Sequence, residues 1–269
     1  MSNVPPAFAG SIPDKYERYL GPYLFEPYAT DLVARLEPAG IKTVLEIACG
    51  TGRVTAHLRA RLMGDARLVA TDLNPDMITI AKKIIPDQRI EWGQADAQAL
   101  TFDDNYFDCV ICQFGLMFVP DKPRALAEAY RVLRPGGHLL MNTWDQLENN
   151  PAFYLADQLV AQYFPADSPS FFHIPFSMHD KDELWSLFEN AGFGDCRISL
   201  VKKEGICASA ADTATGMLEG TPIYTAINDR NPALLPSLKK DLENVLARRF
   251  GAAPMVSPLQ AWIVEAKKN

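Results

Sequence analysis

The sequence predicts an α/β protein whose core is a mostly parallel β-sheet with helices on both faces. From residue 43 onwards, short apolar stretches alternate with segments in which apolar residues recur at helical spacing. This alternation is typical of βαβ units, in which the strands are parallel. The strand candidates are nearly uninterrupted apolar runs, which fits strands that are covered on both faces.

Five strand candidates and three helix candidates form this alternating part. The strands are Thr43–Ile47, Arg67–Asp72, 89–92, Phe107–Gln113 and 137–143. The helices between them are 52–62, Pro75–Ile84 and 122–133. Two later strand candidates, 195–205 and 259–268, bring the predicted sheet to seven strands.

The rest of the chain is predicted to surround the sheet. Residues 1–22 indicate an irregular arm with one helical turn, and a helix follows within 25–36. Further helices are predicted within 145–164 and 179–193, the second with Asp180 as its N-cap and Gly192 at its end. A mostly helical insertion covers about 209–256.

These segments suggest a division into an N-terminal cap and a main domain. Residues 1–42 form the arm and first helix, which we expect to cover the site. Residues 43–269 form the main domain, with cap segments at about 145–178 and 209–256.

Composition limits the partners that the chain can bind. The 269 residues carry a net charge of −7, and no basic patch of the kind that nucleic-acid binders need is visible. We found neither a signal-peptide pattern nor an apolar stretch near the ~20 residues of a membrane span, so we expect a cytoplasmic protein. The five scattered cysteines do not suggest a disulfide framework, and we expect no metal site. The expected partner is a small molecule, and the expected state is a monomer or homodimer.

A glycine loop follows the first predicted strand. Gly50 and Gly52 would permit a tight turn and a close approach of the backbone to a ligand. Asp72 ends the second strand, where a carboxylate could accept hydrogen bonds from two ribose hydroxyls. These features suit NAD as well as S-adenosylmethionine.

Charge favours the second ligand. Glu46 precedes Gly50 by four residues, and its carboxylate would repel a diphosphate but attract an ammonium or a sulfonium group. The dinucleotide fingerprint would also place a third glycine at position 55, which is Thr55. An NAD-dependent oxidoreductase and a non-catalytic protein that binds S-adenosylmethionine remain as alternatives.

Four motifs in succession resemble those of the class I S-adenosylmethionine-dependent methyltransferases, within the small-molecule branch that includes enzymes of ubiquinone and menaquinone biosynthesis. They are "VLEIACGTGRVT", "VATDLNPDMI", "GQADAQALTFDDNYFDCVICQFGLMFVPD" and "RVLRPGGHLLM", all between residues 43 and 143. The resemblance implies a Rossmann-like fold with helical cap insertions. It also implies methyl transfer from S-adenosylmethionine, with S-adenosylhomocysteine as the product.

The resemblance implies a role for each matching position. The methionine end of the cofactor would contact Glu46 and the loop residues Ala48, Gly50, Thr51 and Gly52, with Gln113 near the methyl group. Asp72 would bind the ribose, and the adenine would contact Leu73, Met77, Asp96 and Ala97. Ala48 departs from the glycine that the family has there. An alanine fits if the backbone does not need a positive φ.

The sequence shows no specific catalytic constellation, because methyl transfer from an activated donor needs mainly alignment and exclusion of water. His173 and His179 are the candidates for a general base. Tyr16 is expected to close over the cofactor. The residues expected to contact the acceptor are Tyr19, Phe118, Trp144, Phe172 and His173.

Overall fold

The computed structural model describes Phe8 and residues 10–269. Residues 1–7 and 9 of the predicted arm lie outside the described residues. The described chain contains a seven-stranded sheet in the order β3-β2-β1-β4-β5-β7-β6. The strands are β1 (Thr43–Ile47), β2 (Arg67–Asp72), β3 (Ile90–Gln94), β4 (Phe107–Gln113), β5 (Leu133–Trp144), β6 (Asp195–Cys207) and β7 (Met255–Lys267).

The pairing of the strands confirms the mostly parallel sheet. Strands β1 to β5 pair in parallel, whereas β7 is antiparallel to both β5 and β6. β1 lies between β2 and β4, so the order of the strands reverses beside β1. In open α/β sheets, ligands bind at such a reversal, beyond the carboxyl ends of the strands.

Ten α-helices are present in the described chain, together with a π-helical segment, Tyr16–Phe25, and short 3₁₀ turns. The helices are α1 (Ile12–Lys15), α2 (Glu26–Ala34), α3 (Arg53–Arg61), α4 (Pro75–Ile84), α5 (Lys122–Val132), α6 (Pro151–Tyr163), α7 (Lys181–Asn190), α8 (Ala210–Glu219), α9 (Ile223–Arg230) and α10 (Leu235–Phe250). The Asp180 side chain accepts hydrogen bonds from the first turn of α7, which confirms the predicted N-cap.

The N-terminal region differs from the prediction. Residues 12–34 are helical throughout, because α1, the π-helical segment and α2 follow one another without a break. Gly21 and Pro22 made an irregular arm the natural expectation from local propensity. However, Leu20, Tyr23 and Leu24 are almost completely buried, and this tertiary packing outweighs the local preference.

Two strand boundaries also differ. β3 runs two residues further than predicted, and β5 begins at Leu133 instead of residue 137. Leu133 pairs with Phe107, and the register of the two strands shifts before the next pair, Cys109 and His138. The sequence between Leu133 and His138, which suggested a turn, is therefore an irregularity within β5.

The insertion predicted at about 209–256 is mostly helical, as expected, and contains α8, α9 and α10. It ends slightly earlier than predicted, because β7 begins at Met255. No helix within 10–269 is long and apolar enough to cross a membrane. In the same range, no group of three His, Cys, Asp or Glu residues has the arrangement of a metal site.

Candidate functional site

The glycine loop lies between the end of β1 and the start of α3. Gly50 and Gly52 both have positive φ angles, of 55° and 90°. A Cβ at Gly52 would lie 2.7 Å from the Cδ1 atom of Ile85, so a side chain there would require Ile85 to shift and would also be strained by the positive φ. The loop brings backbone N–H groups and the N-terminus of α3 to the edge of the sheet where β1 and β4 diverge.

Asp72 connects this loop to the end of β2. Its Oδ2 atom accepts a 2.8 Å hydrogen bond from the Gly50 N–H, and its Oδ1 atom accepts one of 2.8 Å from the Asn74 N–H. Burial raises the pKa of Asp72 above its usual value, and these backbone donors oppose the shift. A carboxylate has about four acceptor positions, and Leu73 also makes a backbone hydrogen bond to Asp72, so one position remains for a further donor.

Glu46 is buried within the same edge. Its side chain is 2% exposed, and its Oε2 atom accepts a 2.6 Å hydrogen bond from the Thr55 hydroxyl. Burial raises the pKa of Glu46 to about 8, and the nearby Asp72 charge adds to the shift. An anion beside this acid would keep it protonated, whereas a cation beside it would favour its ionised form.

Ala48 has a positive φ, which is the conformation in which an alanine was not expected to fit. Its φ is 54°, in the left-handed region, so the alanine is strained where the family has glycine. Its methyl group also fixes the residue opposite, because a Cβ at Gly115 would overlap the Ala48 Cβ and lie 2.9 Å from Cys112 Sγ. The expectation that Ala48 avoids a positive φ was therefore wrong.

A cleft of about 320 Å³ opens at this edge of the sheet. Glu46, Ala48, Gly50, Thr51 and Gln113, which the sequence analysis singled out, line it together with Tyr16. The other lining residues are Phe25, Cys49, Arg53 and Val54. Burial raises the pKa of the Tyr16 hydroxyl, and Glu17 and Asp72 add to the shift, so the tyrosine is neutral.

Charged side chains clamp the N-terminal helical residues onto the glycine loop. The Glu17 carboxylate accepts a 2.5 Å hydrogen bond from the Thr51 hydroxyl and a further one from Arg53. Arg53 Nη1 donates to Glu26 Oε2 over 2.9 Å, and His57 Nε2 lies 2.7 Å from the other oxygen of Glu26. The π-helical segment therefore covers one side of the cleft and is bonded to the loop that it covers.

The residues predicted to contact adenine lie near the ends of β2 and β3. The Leu73 side chain is 49% exposed, whereas Met77 is buried beneath it in α4. Both oxygens of Asp96 accept from Gln98, so any ligand would share these acceptors. Ala97 lines a second, apolar cavity, which also reaches Ala48.

Gln113 lies at the end of β4 and connects three elements. Its Nε2 atom donates a 3.2 Å hydrogen bond to the Phe25 carbonyl in the helical cover. Its Oε1 atom accepts one of 3.4 Å from Asn142 Nδ2 in β5. Asn142 is completely buried, and its Oδ1 atom accepts a 2.9 Å hydrogen bond from the Phe114 N–H.

A closed series of aromatic rings, here called the aromatic belt, borders the cleft beyond Gln113. Neighbouring ring centroids lie 3.9 to 6.4 Å apart. The closest pair is Phe114 and Trp144, which stack in parallel at the ends of β4 and β5. Its members, in order around the series, are Phe8, Tyr16, Phe25, Phe114, Trp144, Phe176, Phe153, Phe172, Phe171 and Phe118.

The residues predicted to contact the acceptor are not equally placed for that role. Phe118 is partly exposed within the belt, whereas Trp144 is mostly buried and Phe172 is completely buried against Phe153. The burial of Phe172 speaks against direct contact with a substrate. Tyr19 lies outside the cleft lining and packs beside Gly216 of α8.

The two candidate bases lie at the surface. The His173 side chain is 64% exposed, and its Nε2 atom lies 3.3 Å from Asp157 Oδ1. His179 is exposed, and its Nδ1 atom lies 2.8 Å from the Phe176 carbonyl oxygen. Neither histidine lines the cleft.

Several residues of the site were missed by the sequence analysis. Glu17 and Arg53 are 36 positions apart, and no local pattern shows that a helix returns over the loop. Thr55 was noted only as an absent glycine, although it is the partner of Glu46. The strained Phe114, with a φ of 49°, gave no signal because its sequence neighbours are those of an ordinary strand end.

Comparison with known proteins identifies the family. A model described as a methyltransferase domain matches residues 45–141. The ubiquinone/menaquinone biosynthesis C-methyltransferase UbiE of Teredinibacter turnerae is 37% identical over 180 residues, which cover 60% of this chain and 72% of that protein. The UbiE of Escherichia coli O1:K1 is 35% identical over 167 residues, which cover 56% of this chain and 66% of that protein.

Solved structures share the fold at lower identity. A putative methyltransferase from Bacillus halodurans superposes with a TM-score of 0.61 at 21% identity, over 89% of this chain and 98% of that one. The phosphoethanolamine N-methyltransferase 2 of Haemonchus contortus, solved with S-adenosylhomocysteine, has a TM-score of 0.59 at 15% identity, over 96% of this chain and 57% of that one. Together with the relatives and the matched domain, these findings establish that the chain belongs to the class I S-adenosylmethionine-dependent methyltransferases and is an enzyme that uses S-adenosylmethionine as its methyl donor.

Proposed function

We propose that the cleft beside the glycine loop binds S-adenosylmethionine and that the aromatic belt encloses a small or medium organic acceptor. The methionine end would lie against Glu46, the loop 48–52 and Gln113. The ribose would lie at Asp72, and the adenine at Leu73, Met77, Asp96 and Ala97. The observation that carries this proposal is the pair of hydrogen bonds that hold the Asp72 carboxylate between the Gly50 and Asn74 N–H groups.

The charge of the cleft supports this ligand over a dinucleotide. S-adenosylmethionine carries a sulfonium, an ammonium and a carboxylate, so its net charge is positive. Glu46 and Arg53 line the cleft. Two further acidic side chains lie behind the lining: Asp72 is hydrogen-bonded to Gly50, and Glu17 to Thr51 and Arg53. A diphosphate in the same place would meet an excess of acidic groups.

The residues of the chain would contribute alignment and exclusion of water. The bound donor supplies an electrophilic methyl group on sulfur. The π-helical segment covers the cleft through Tyr16 and Phe25, which stack with ring centroids 4.8 Å apart. Excluding water and fixing the geometry are the main contributions that a direct displacement needs. No buried histidine lines the cleft, so we assign no general base.

The acceptor follows from the surroundings of the cleft. The aromatic belt is apolar and adjoins the cleft at Tyr16 and Phe25, which suits an organic molecule of modest size. The net charge of −7 disfavours nucleic acid. The five cysteines are all free, which fits a reducing compartment, and we propose the cytoplasm.

Calorimetric titration with S-adenosylhomocysteine tests the proposed site. In Asp72→Asn, one amide NH₂ must face a backbone N–H, so we expect the affinity to fall by about tenfold or more. Asp76→Asn is the matched control, since Asp76 is exposed in the first turn of α4. Unchanged affinity in a folded Asp72→Asn protein would overturn the ribose assignment.

A further inference from the structure

The amides of Asn142 and Gln113 form a relay whose polarity is fixed at both ends. One end is the Phe114 N–H, which can only donate, so the Asn142 oxygen must face it. The Asn142 nitrogen therefore faces Gln113 and requires an acceptor there, which is Gln113 Oε1. The other end is the Phe25 carbonyl, which can only accept, and Gln113 Nε2 faces it. Both amide orientations thus follow from backbone groups.

This relay determines what Gln113 can offer to a ligand. Asn142 engages the side-chain oxygen of Gln113, and the Phe25 carbonyl engages one of its two N–H donors. Within residues 10–269, no acceptor is recorded for the second N–H, and Gln113 lines the cleft. Gln113 therefore has one N–H donor left for a ligand in the cleft, and its oxygen keeps one of its two acceptor positions.

The relay also holds a strained turn. Phe114 has a φ of 49°, which costs a non-glycine residue on the order of 1 kcal/mol. The side-chain and backbone oxygens of Asn142 both accept from the Phe114 N–H, over 2.9 and 3.2 Å. Strain of this kind persists only where the surrounding structure fixes the conformation, and it is common at functional sites.

We propose that Asn142 is a positioning residue, which orients Gln113 so that the second N–H of its amide binds the carboxylate at the methionine end of the cofactor. This inference rests on the proposed cofactor site. It goes further by assigning a role to a buried residue that the cofactor does not touch. The carboxylate is the group at that end of the cofactor that requires donors, and Glu46, which also lines the cleft at the end of the neighbouring strand, suits the ammonium.

Asn142→Asp tests this role with little change in side-chain shape. An aspartate keeps the acceptor for the Phe114 N–H but places a second oxygen against Gln113. An ionised aspartate requires a donor, so the Gln113 amide turns to donate to it, and the Gln113 oxygen then faces the cleft and the Phe25 carbonyl. Two ligands separate the methionine end from the rest: S-adenosylhomocysteine has the amino acid end, and 5′-methylthioadenosine keeps the adenosine and sulfur without it.

We expect Asn142→Asp to weaken the binding of S-adenosylhomocysteine by about tenfold, which is the loss expected for one hydrogen bond to a charged group. The affinity for 5′-methylthioadenosine should not change. Asn150→Asp is the matched control. Asn150 is 1% exposed, its side-chain oxygen accepts from the Gln260 N–H, and its nitrogen donates to backbone carbonyls, but it does not line the cleft. This control should lower the melting temperature and change neither affinity.

Equal weakening of both ligands, or no change for either in a folded Asn142→Asp protein, would overturn the inference. If that variant does not fold, Gln113→Glu provides the same test, because it keeps the acceptor for Asn142 and removes the donor. Gln113→Glu should likewise weaken the binding of S-adenosylhomocysteine only, and unchanged binding of that ligand would overturn the inference. Failure of the wild-type protein to bind either ligand would instead refute the proposed cofactor site.

Discussion

The Thr55 hydroxyl donates a 2.6 Å hydrogen bond to the Glu46 carboxyl group, and both side chains are buried. Glu46 belongs to β1 and Thr55 to the first turns of α3, so the bond joins the strand and the helix on either side of the glycine loop. The same threonine occupies the position at which a dinucleotide-binding loop has glycine. Thr55, whose presence in the sequence argued against NAD, therefore stabilises Glu46, the acid that favours a cationic ligand.

Removing this hydroxyl should destabilise the protein. In Thr55→Val the buried Glu46 carboxyl loses the hydroxyl donor and keeps only the backbone hydrogen bond from the same residue, which costs about 1 to 3 kcal/mol in the free energy of unfolding. Thr55→Ser keeps the hydroxyl and serves as the control, with a smaller loss from the missing methyl group. Chemical denaturation of the three proteins measures the difference, and equal stability of the two variants would contradict a role for the hydrogen bond.

Cofactor binding should depend on pH through Glu46. Because the pKa of Glu46 is raised to about 8, the group is mostly neutral at pH 6, and a bound ammonium must displace its proton. Affinity for S-adenosylhomocysteine should then rise about 20-fold between pH 6.0 and 7.5. Glu46→Gln should bind more weakly at pH 7.5 and lose most of this dependence. An equally steep rise in the variant would assign the effect to Asp72 or Glu17, whose pKa values burial also raises.

The same shift determines how stability depends on pH. An acid whose pKa in the folded protein lies above its usual 4.5 contributes to the stability of the folded state at pH values below 4.5. This contribution is lost as the pH rises through about 8. Glu46→Gln has no such group. Its stability relative to the wild type should therefore increase between pH 5 and 8.5 in thermal unfolding.

Ala48 and Gly115 should be energetically coupled. Ala48→Gly removes the strain of an alanine at a φ of 54°, so we expect stability to stay the same or to rise by up to about 1 kcal/mol. Ala56→Gly, at an exposed position inside α3, should instead lose about 1 kcal/mol. Gly115→Ala should be strongly destabilising, and adding Ala48→Gly should recover part of the loss. An additive double-mutant cycle would show that the two positions do not meet.

Arg53 should hold the helical cover in place. In Arg53→Ala the half-buried Glu17 and Glu26 carboxylates lose their shared cation. Amide hydrogen exchange should become faster in Tyr16–Phe25, because this segment lies over the loop that ends just before Arg53. Arg249→Ala changes the charge equally at an exposed position of α10 and should leave this exchange unchanged. Equal protection in Arg53→Ala would show that apolar packing alone holds the segment.

The sequence predicted the central sheet well, because local patterns determine it. β1, β2, β4 and α4 lie at the predicted residues, since each has a continuous apolar face and is bounded by turn residues or a cap. The glycine loop, Glu46 and Asp72 were predicted for the same reason, as all three lie within one motif or at the end of a strand.

The parts that were missed depend on contacts between distant residues. The π-helical segment Tyr16–Phe25 contains Gly21 and Pro22, and it packs against α8 and β6, which lie far away in the sequence. The relay from Phe114 through Asn142 to Gln113 depends on the register of β4 against β5, which no sequence pattern reveals. The positive φ of Ala48 and the contact of its methyl group with Gly115 likewise join positions that no local pattern connects.

A crystal structure of the complex with S-adenosylhomocysteine would show directly whether the cleft beside the glycine loop is the cofactor site. We expect the ribose hydroxyls within hydrogen-bond distance of the Asp72 oxygens and the amino acid end near Glu46 and Gln113. Ligand bound elsewhere on the protein, or bound with its ribose away from Asp72, would contradict this expectation.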